Sequence, residues 1–213
     1  MNSMSNFSNA LVLAPHPDDG EFGCGATLKR LAEQGTKVWY AAFSPCIKSL
    51  PEGSADDRLF GELNKAAAHL GIPEDQIMNF DFEVREFPRD RQKLLETLIR
   101  LRKDINPELV LMPNSDDVHQ DHNTVYQEGL RAFKHSSLIG YELPWNNLQF
   151  KSNFHCRVEE THLDAKVDAI YEYESQRFRA YSDRAFIKGV ARMRGLQIGS
   201  EFAEAFELIR WIV

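Results

Sequence analysis

The sequence predicts an α/β fold, a Rossmann-like three-layer sandwich with a mostly parallel sheet and helices on both faces. Short apolar runs alternate with helical patterns from residue 10 to residue 133, as they do in parallel sheets wrapped by helices. The runs lack a polar face, which is typical of strands buried on both sides. The chain has 213 residues, 43% of them apolar, so we expect a single domain over 1–213 with one core.

Each element of the first part of the chain follows from local patterns. In chain order we predict a strand at 10–14, a polar loop at 15–25, a helix at 26–34, a strand at 37–43, a helix at 54–70, a short strand at 77–80, a helix at 89–105, a strand at 109–112, a polar loop at 114–123 and a helix at 124–133. The helix at 89–105 has leucines at three- and four-residue spacings. Gly35 and Gly71 are helix stops.

The last third of the chain is less regular. We predict strands at 138–143 and 156–161 and helices at 163–173 and 184–194. We expect this irregular part to select the substrate, because the repeated strand and helix pattern ends before it.

Charge and composition restrict the partners. The formal net charge is −7, which gives no overall attraction to phosphate backbones, so we expect no nucleic-acid partner. No apolar run approaches the roughly 20 residues that span a bilayer, and the first ten residues do not resemble a signal peptide. Three scattered cysteines form no disulfide framework. We therefore expect a cytoplasmic protein with no membrane partner.

Two polar clusters follow predicted buried strands. The first is PHPDDGE at 15–21, and the second is DDVHQDH at 116–122. Ligands of open parallel sheets bind beyond the carboxyl ends of the strands, so both clusters belong to the edge of the sheet where sites form. Two histidines and a carboxylate suit a catalytic zinc, which keeps one position open for water. A further carboxylate can act as general base, and another histidine can stabilise an oxyanion.

Each cluster also has an ordinary structural interpretation. His16-Pro17-Asp18-Asp19 can be a turn, since Pro, Asp and Gly favour turns. The second cluster can be the start of a helix capped by Asp117. Their complementary chemistry at two strand ends favours a shared site over both interpretations.

The residues of both clusters resemble the PIG-L (LmbE-like) family of zinc-dependent N-acetylglucosaminyl deacetylases. The stretch 16–19 matches the family's A-H-P-D-D-E type motif, with Pro15 in place of the usual alanine and Gly20 before Glu21 as in one branch of the family. HQDH at 119–122 matches the family's H-x-D-H motif. The stretches 58–71 and 194–206 are also similar to parts of the family.

The resemblance implies roles for nine residues. His16, Asp19 and His122 are the metal ligands, for zinc or for another divalent metal such as iron. Asp18 is the general base, His119 stabilises the oxyanion, and Asp121 orients His119. Arg58, Arg194 and Glu204 contact the substrate, although each also fits an ordinary surface role. The expected reaction releases acetate and a free amine from an N-acetylated amino sugar or its conjugate.

Two other functions remain open from the sequence. Two histidines and a carboxylate also describe non-haem iron oxygenases, and a glycine-containing loop after a strand allows a non-catalytic Rossmann-like module that binds a sugar or nucleotide. The separate base Asp18 argues against the oxygenase. The two carboxylates beside the glycine-containing loop would repel the phosphates of a nucleotide, which argues against the binding module. Candidate substrates are a small conjugate such as N-acetylglucosaminyl malate, a nucleotide-sugar, a polysaccharide precursor and a free amino sugar. Related deacetylases often form homo-oligomers, so that state is also open.

Overall fold

The computed structural model of the chain describes residues 7–50 and 53–213, and these residues contain a seven-stranded sheet. The strands in chain order are β1 (Asn9–Ala14), β2 (Lys37–Ala42), β3 (Ile77–Asn79), β4 (Leu109–Pro113), β5 (Ser137–Tyr141), β6 (Phe154–Val158) and β7 (Phe202–Arg210). Their order across the sheet is β3-β2-β1-β4-β5-β7-β6. The first five strands are mutually parallel, and β7 runs antiparallel between β5 and β6. The mostly parallel sheet is therefore confirmed.

Helices cover both faces of the sheet, as the sequence predicts. They are α1 (Asp19–Glu33), α2 (Arg58–His69), α3 (Arg91–Ile105), α4 (Gln120–Ala132), α5 (Glu160–Tyr171) and α6 (Arg184–Leu196). Side chains of β1 alternate between two cores. Ala10 and Val12 pack with α1, α2 and α5, whereas Leu11 and Leu13 pack with α3 and α4. The sandwich therefore has three layers.

Helix α1 begins at Asp19, inside the segment that the sequence predicts to be a loop, and it consists of two helical pieces. The backbone leaves helical geometry at Cys24, with φ −150° and ψ 18°. Glu204 of β7 caps the second piece, because its carboxylate accepts hydrogen bonds from the N–H groups of Ala26 (3.2 Å) and Thr27 (2.7 Å). A partner 177 residues away thus stabilises a helix that local glycines disfavour.

Other boundaries shift by a few residues, and one strand is new. Helix α4 begins at Gln120 rather than 124, and α2 begins at Arg58 rather than 54. Strand β7 lies where we predict no element. Its two buried acidic residues, Glu204 and Glu207, mask the apolar pattern of a strand. Among the described residues, no helix has the length and apolar character that crossing a bilayer would require.

The topology defines the place of the site. The chain moves outward from β1 through β2 to β3 and then returns to β4 on the other side of β1. Crevices form at such a reversal, beyond the carboxyl ends of the two strands. The segments that follow β1 and β4 carry the two polar clusters.

Candidate metal centre

Three side chains from the two clusters meet above β1 and β4. Nδ1 of His16 lies 3.2 Å from Oδ2 of Asp19, and Nε2 of His122 lies 3.2 Å from the same oxygen. The two ring nitrogens are 3.1 Å apart. His16 is in the loop after β1, Asp19 is the first residue of α1, and His122 is in the first turn of α4. The fold therefore brings together all three predicted metal ligands.

Two buried carboxylates bind the outer nitrogens of these histidines. Oδ2 of Asp121 lies 3.1 Å from Nε2 of His16, and Oδ2 of Asp117 lies 2.8 Å from Nδ1 of His122. An ionised carboxylate accepts hydrogen bonds, so Nε2 of His16 and Nδ1 of His122 each carry a proton. When the other nitrogen of each ring is deprotonated, two lone pairs and the Asp19 oxygen converge on one point.

This convergence of acceptors fits a cation. Zinc bonds of about 2.0–2.2 Å in tetrahedral geometry place neighbouring ligand atoms about 3.4 Å apart, close to the three separations given above. The histidines His16, His119 and His122 can also offer nitrogens within 4.8 Å of one another. The donor set thus suits a divalent metal with imidazole and carboxylate ligands.

The pKa values of the cluster reflect this concentration of charge. Burial alone would raise the pKa of Asp19, but His122 and His16 outweigh burial and hold that pKa far below its usual range. Burial likewise opposes the charged form of His122, yet Asp19 and Asp117 raise its pKa to about 10. The metal-free cluster therefore retains a proton that a bound cation must displace.

Two further residues of the motifs face the same space. Burial and the neighbouring Asp19 raise the pKa of Asp18 to about 6, and no described backbone N–H group is capped by its carboxylate. Burial and the adjacent His122 lower the pKa of His119 to about 4. Nδ1 of His119 accepts the N–H of Asp121 at 3.2 Å, so its Nε2 carries the ring proton at neutral pH.

The role of Asp121 differs from the prediction. We predict that it orients His119, but its carboxylate binds His16 and also accepts the N–H groups of Arg85 (2.6 Å) and Phe87 (3.3 Å). The side chain of Asp121 therefore contacts the loop after β3. His119 instead receives the backbone N–H of Asp121.

Hydrogen bonds below the metal centre hold the loop after β1. The Tyr40 hydroxyl lies 2.6 Å from both the carbonyl oxygen of Pro17 and Oε2 of Glu21, and the Tyr173 hydroxyl donates to the same carbonyl at 2.6 Å. Burial raises the pKa of Glu21 to about 8, so its carboxyl is largely protonated at neutral pH. Gly20 is required here, because a Cβ would lie 2.6 Å from the Tyr40 hydroxyl oxygen.

A cavity of about 250 Å³ opens above the metal centre. Its walls include the parallel rings of Trp145 and Tyr181, whose centroids are 3.8 Å apart. The guanidinium groups of Arg85 and Arg179 belong to residues that also line this cavity. The volume lies near the lower end of small-molecule sites, which begin at about 300 Å³.

The three predicted substrate-binding residues lie elsewhere. Arg58 pairs with Glu62 on α2 (3.1 Å) and is not among the residues that line the cavity. Arg194 pairs with Glu142 and lines a separate, smaller pocket of about 40 Å³. Glu204 lines that same pocket and caps α1, and its Oε1 lies 2.7 Å from Nζ of Lys166. These contacts give Arg58, Arg194 and Glu204 structural partners within the protein.

Four residues of this site are not predicted from the sequence. Asp117 is predicted only as a helix cap, whereas Tyr181, Arg85 and Arg179 lie in segments without periodicity. A carboxylate five residues before His122 was a usable signal, since metal-binding histidines usually donate to a carboxylate or carbonyl. The other three carry no local signal.

Comparison with known proteins gives one matching family model. The model of the PIG-L family, described as GlcNAc-PI de-N-acetylase, matches residues 11–133. This range contains both polar clusters, most of β1 and the whole of β2, β3 and β4. It covers more than half of the chain.

Similar proteins include two curated deacetylases and one hydratase of known structure. The uncharacterized deacetylase YaiS of Escherichia coli is 30% identical over 179 residues, which cover 82% of this chain and 95% of YaiS. The diacetylchitobiose deacetylase of Thermococcus kodakarensis is 25% identical, over 96% of this chain and 84% of that protein. The 4-carboxy-2-hydroxymuconate hydratase GalB of Pseudomonas putida shares the fold, with a TM-score of 0.78, 19% identity and coverage of 97% and 98%.

Proposed function

This chain belongs to the PIG-L family, and from that premise we propose that it is a zinc-dependent deacetylase of an N-acetylated amino sugar or its conjugate. Its relatives YaiS and the Thermococcus protein are named deacetylases, and the latter is named for diacetylchitobiose. The reaction breaks the amide C–N bond, forms a C–O bond from water, and yields acetate and a free amine.

The observation that carries the proposal is the convergence of three acceptors beside a separate carboxylate. His16, Asp19 and His122 would hold the metal, and Asp18 lies next to them without a ligand role. When bound, a divalent cation acts as a Lewis acid that polarises a carbonyl and lowers the pKa of water. The remaining chemistry belongs to side chains of this chain.

Asp18 would accept the proton of the attacking water and later transfer a proton to the departing nitrogen. A pKa of about 6 suits both steps, because the group is mostly ionised at pH 7 yet readily protonated. His119 would donate from Nε2 to the oxyanion. Its pKa of about 4 keeps it neutral, which supports an oxyanion role and makes it a weaker candidate than Asp18 for proton delivery.

The test measures amine release from a panel of N-acetylated sugars by the zinc-loaded protein and by His122→Ala. His69→Ala is a matched control, because His69 pairs with Glu172 at the surface, outside the cavity. We expect release by the wild type and the control, and loss of both metal and release in His122→Ala. Release by a metal-free His122→Ala protein would contradict the proposal.

The hydratase GalB shows that this fold also supports other chemistry. The assay therefore includes acetate quantification, since a deacetylase releases acetate and amine in equal amounts. Stoichiometric zinc without release from any sugar would redirect the substrate search. Absence of both zinc and release would favour the non-catalytic binding module.

A further inference from the structure

The cavity above the metal centre contains two arginines that have no carboxylate partner within residues 7–50 and 53–213. Nη2 of Arg85 contacts Oγ of Ser49 at 3.4 Å, and Nε of Arg179 donates to Oε1 of Gln176 at 2.7 Å. A guanidinium has five N–H donors, so most donors of both groups have no partner in the part of the chain that the structure describes. Other arginines near the cavity loop, such as Arg89, pair with acidic residues.

Arg85 occupies a backbone position that glycine would fill with less strain. Its φ is +71°, in the left-handed region, and its N–H donates to Oδ2 of Asp121 at 2.6 Å. That bond fixes the backbone beside the carboxylate that orients His16. The N–H would be equally available from glycine, so the backbone role does not explain an arginine here. The presence of arginine at position 85 must therefore depend on its side chain, which lines the cavity.

Arg179 lies in the segment between α5 and α6, whereas Arg85 lies in the loop after β3. The guanidinium carbon of Arg179 lies 5.6 Å from the centroid of Tyr181, whose ring stacks on Trp145. Arg179 is among the residues that line the cavity, together with Asp18 and Tyr181.

Two guanidinium groups that line the cavity and pair with no described carboxylate are suited to an anion, in a chain whose net charge is −7. Guanidinium forms paired, charge-assisted hydrogen bonds to carboxylate and phosphate. A neutral sugar hydroxyl does not need such a group. The acidic residues that line the cavity, Asp18 and Asp19, belong to the candidate metal centre. Neither forms an ion pair with the two arginines, which can therefore bind an anionic ligand.

We propose that Arg85 and Arg179 form an anion subsite, and that the substrate is an N-acetylated amino sugar with a carboxylate or phosphate substituent. This inference rests on the proposed deacetylase function, because the bound sugar is a substrate only if the protein deacetylates it. The subsite itself concerns binding, and it can be tested even if no deacetylation occurs.

The experiment compares three amino sugars that differ in charge: N-acetylglucosamine, N-acetylglucosamine 6-phosphate and N-acetylmuramic acid. Steady-state kinetics are measured for the zinc-loaded wild type, Arg85→Gln, Arg179→Gln and the control Arg89→Gln. We expect the wild type to prefer one of the two anionic sugars. Each cavity substitution should raise KM for that sugar by about 10- to 100-fold, as for a lost charged hydrogen bond, and should change KM for the neutral sugar much less.

Calorimetric binding of the corresponding amines, glucosamine, glucosamine 6-phosphate and muramic acid, separates the two proposals. Anion-selective binding without turnover would retain the subsite and redirect the search for a deacetylase substrate to other anionic sugars. Tighter binding of the phosphate or of the carboxylate identifies which anion the subsite takes. Equal affinity for neutral and anionic sugars would overturn the subsite, as would an anion preference that survives both cavity substitutions at unchanged zinc content, because that preference belongs to the metal.

Discussion

Substitution of Asp117 by asparagine tests how the candidate metal ligands are oriented. Oδ2 of Asp117 accepts from Nδ1 of His122 at 2.8 Å, and Oδ1 accepts from the N–H of His119 at 2.9 Å. Asparagine has one acceptor oxygen. When that oxygen accepts the N–H of His119, the NH2 group of the asparagine faces Nδ1 of His122. Two donors cannot share a hydrogen bond, so Nδ1 must then give up its proton. The proton moves to Nε2, the atom that would bind the metal.

The expected loss of metal affinity follows from this change of tautomer. Removal of such a carboxylate typically weakens metal binding by about 10- to 100-fold, which corresponds to about 1.4–2.7 kcal/mol. We expect Asp117→Asn near the upper end of this range, because both oxygens are used and the side chain is buried. The zinc dissociation constant is measured by competition with a chromophoric chelator at fixed pH.

Asp116→Asn is the matched control. Asp116 is adjacent, but its nearest charged partner is Nζ of Lys151 at 4.0 Å, and no described contact joins its carboxylate to the histidines. Thermal unfolding of the metal-free proteins checks that both variants fold. If Asp117→Asn bound zinc as tightly as Asp116→Asn, the assignment of protons to the outer nitrogens would be wrong.

Three further predictions concern other parts of the molecule. Asp18→Asn should keep its zinc and lose about 10²- to 10⁴-fold in kcat, so near-normal turnover would exclude Asp18 as the base. Glu204→Gln should cost about 3–5 kcal/mol in urea unfolding, because Lys166 is left buried without its counter-charge, whereas the exposed control Glu201→Gln should cost less than about 1 kcal/mol. Glu21→Gln should remove a pH dependence of the free energy of unfolding. The pKa of Glu21 in the folded protein, about 8, lies above the ordinary 4.5. Wild-type stability should therefore fall as pH rises from about 4.5 to about 8, by up to about 1.4 kcal/mol per pH unit. Parallel wild-type and Glu21→Gln stability curves, taken from metal-free unfolding across that pH range, would refute the assignment.

The fold was predictable from the sequence because its signals are local. Buried parallel strands appear as unbroken apolar runs, and the helices between them carry regular apolar spacing. Strand β7 was not predictable, because what stabilises it is not local in sequence. Its buried acids Glu204 and Glu207 are compensated by Lys166 and by the N–H and hydroxyl of Ser115, partners that are remote in sequence.

The candidate ligands were predictable because each follows a strand that ends at the same edge of the sheet. Their supporting partners were less so. The carboxylates Asp117 and Asp121 are adjacent to the motif, yet which histidine each one binds depends on the direction that α4 takes. The arginines of the cavity lie in irregular segments, where the spacing of residues does not indicate the direction of a side chain.

The position of β7 has a consequence for synthesis of the protein on the ribosome. Strand β7 follows β5 and β6 in sequence but lies between them in the sheet, so the edge of β5 stays unpaired until residues 202–210 have emerged. Unpaired strand edges expose nascent chains to aggregation. Glu204 on this strand also caps the helix that begins with Asp19. The residues of the candidate metal centre lie within positions 16–122, yet this support for α1 is complete only when β7 has been made.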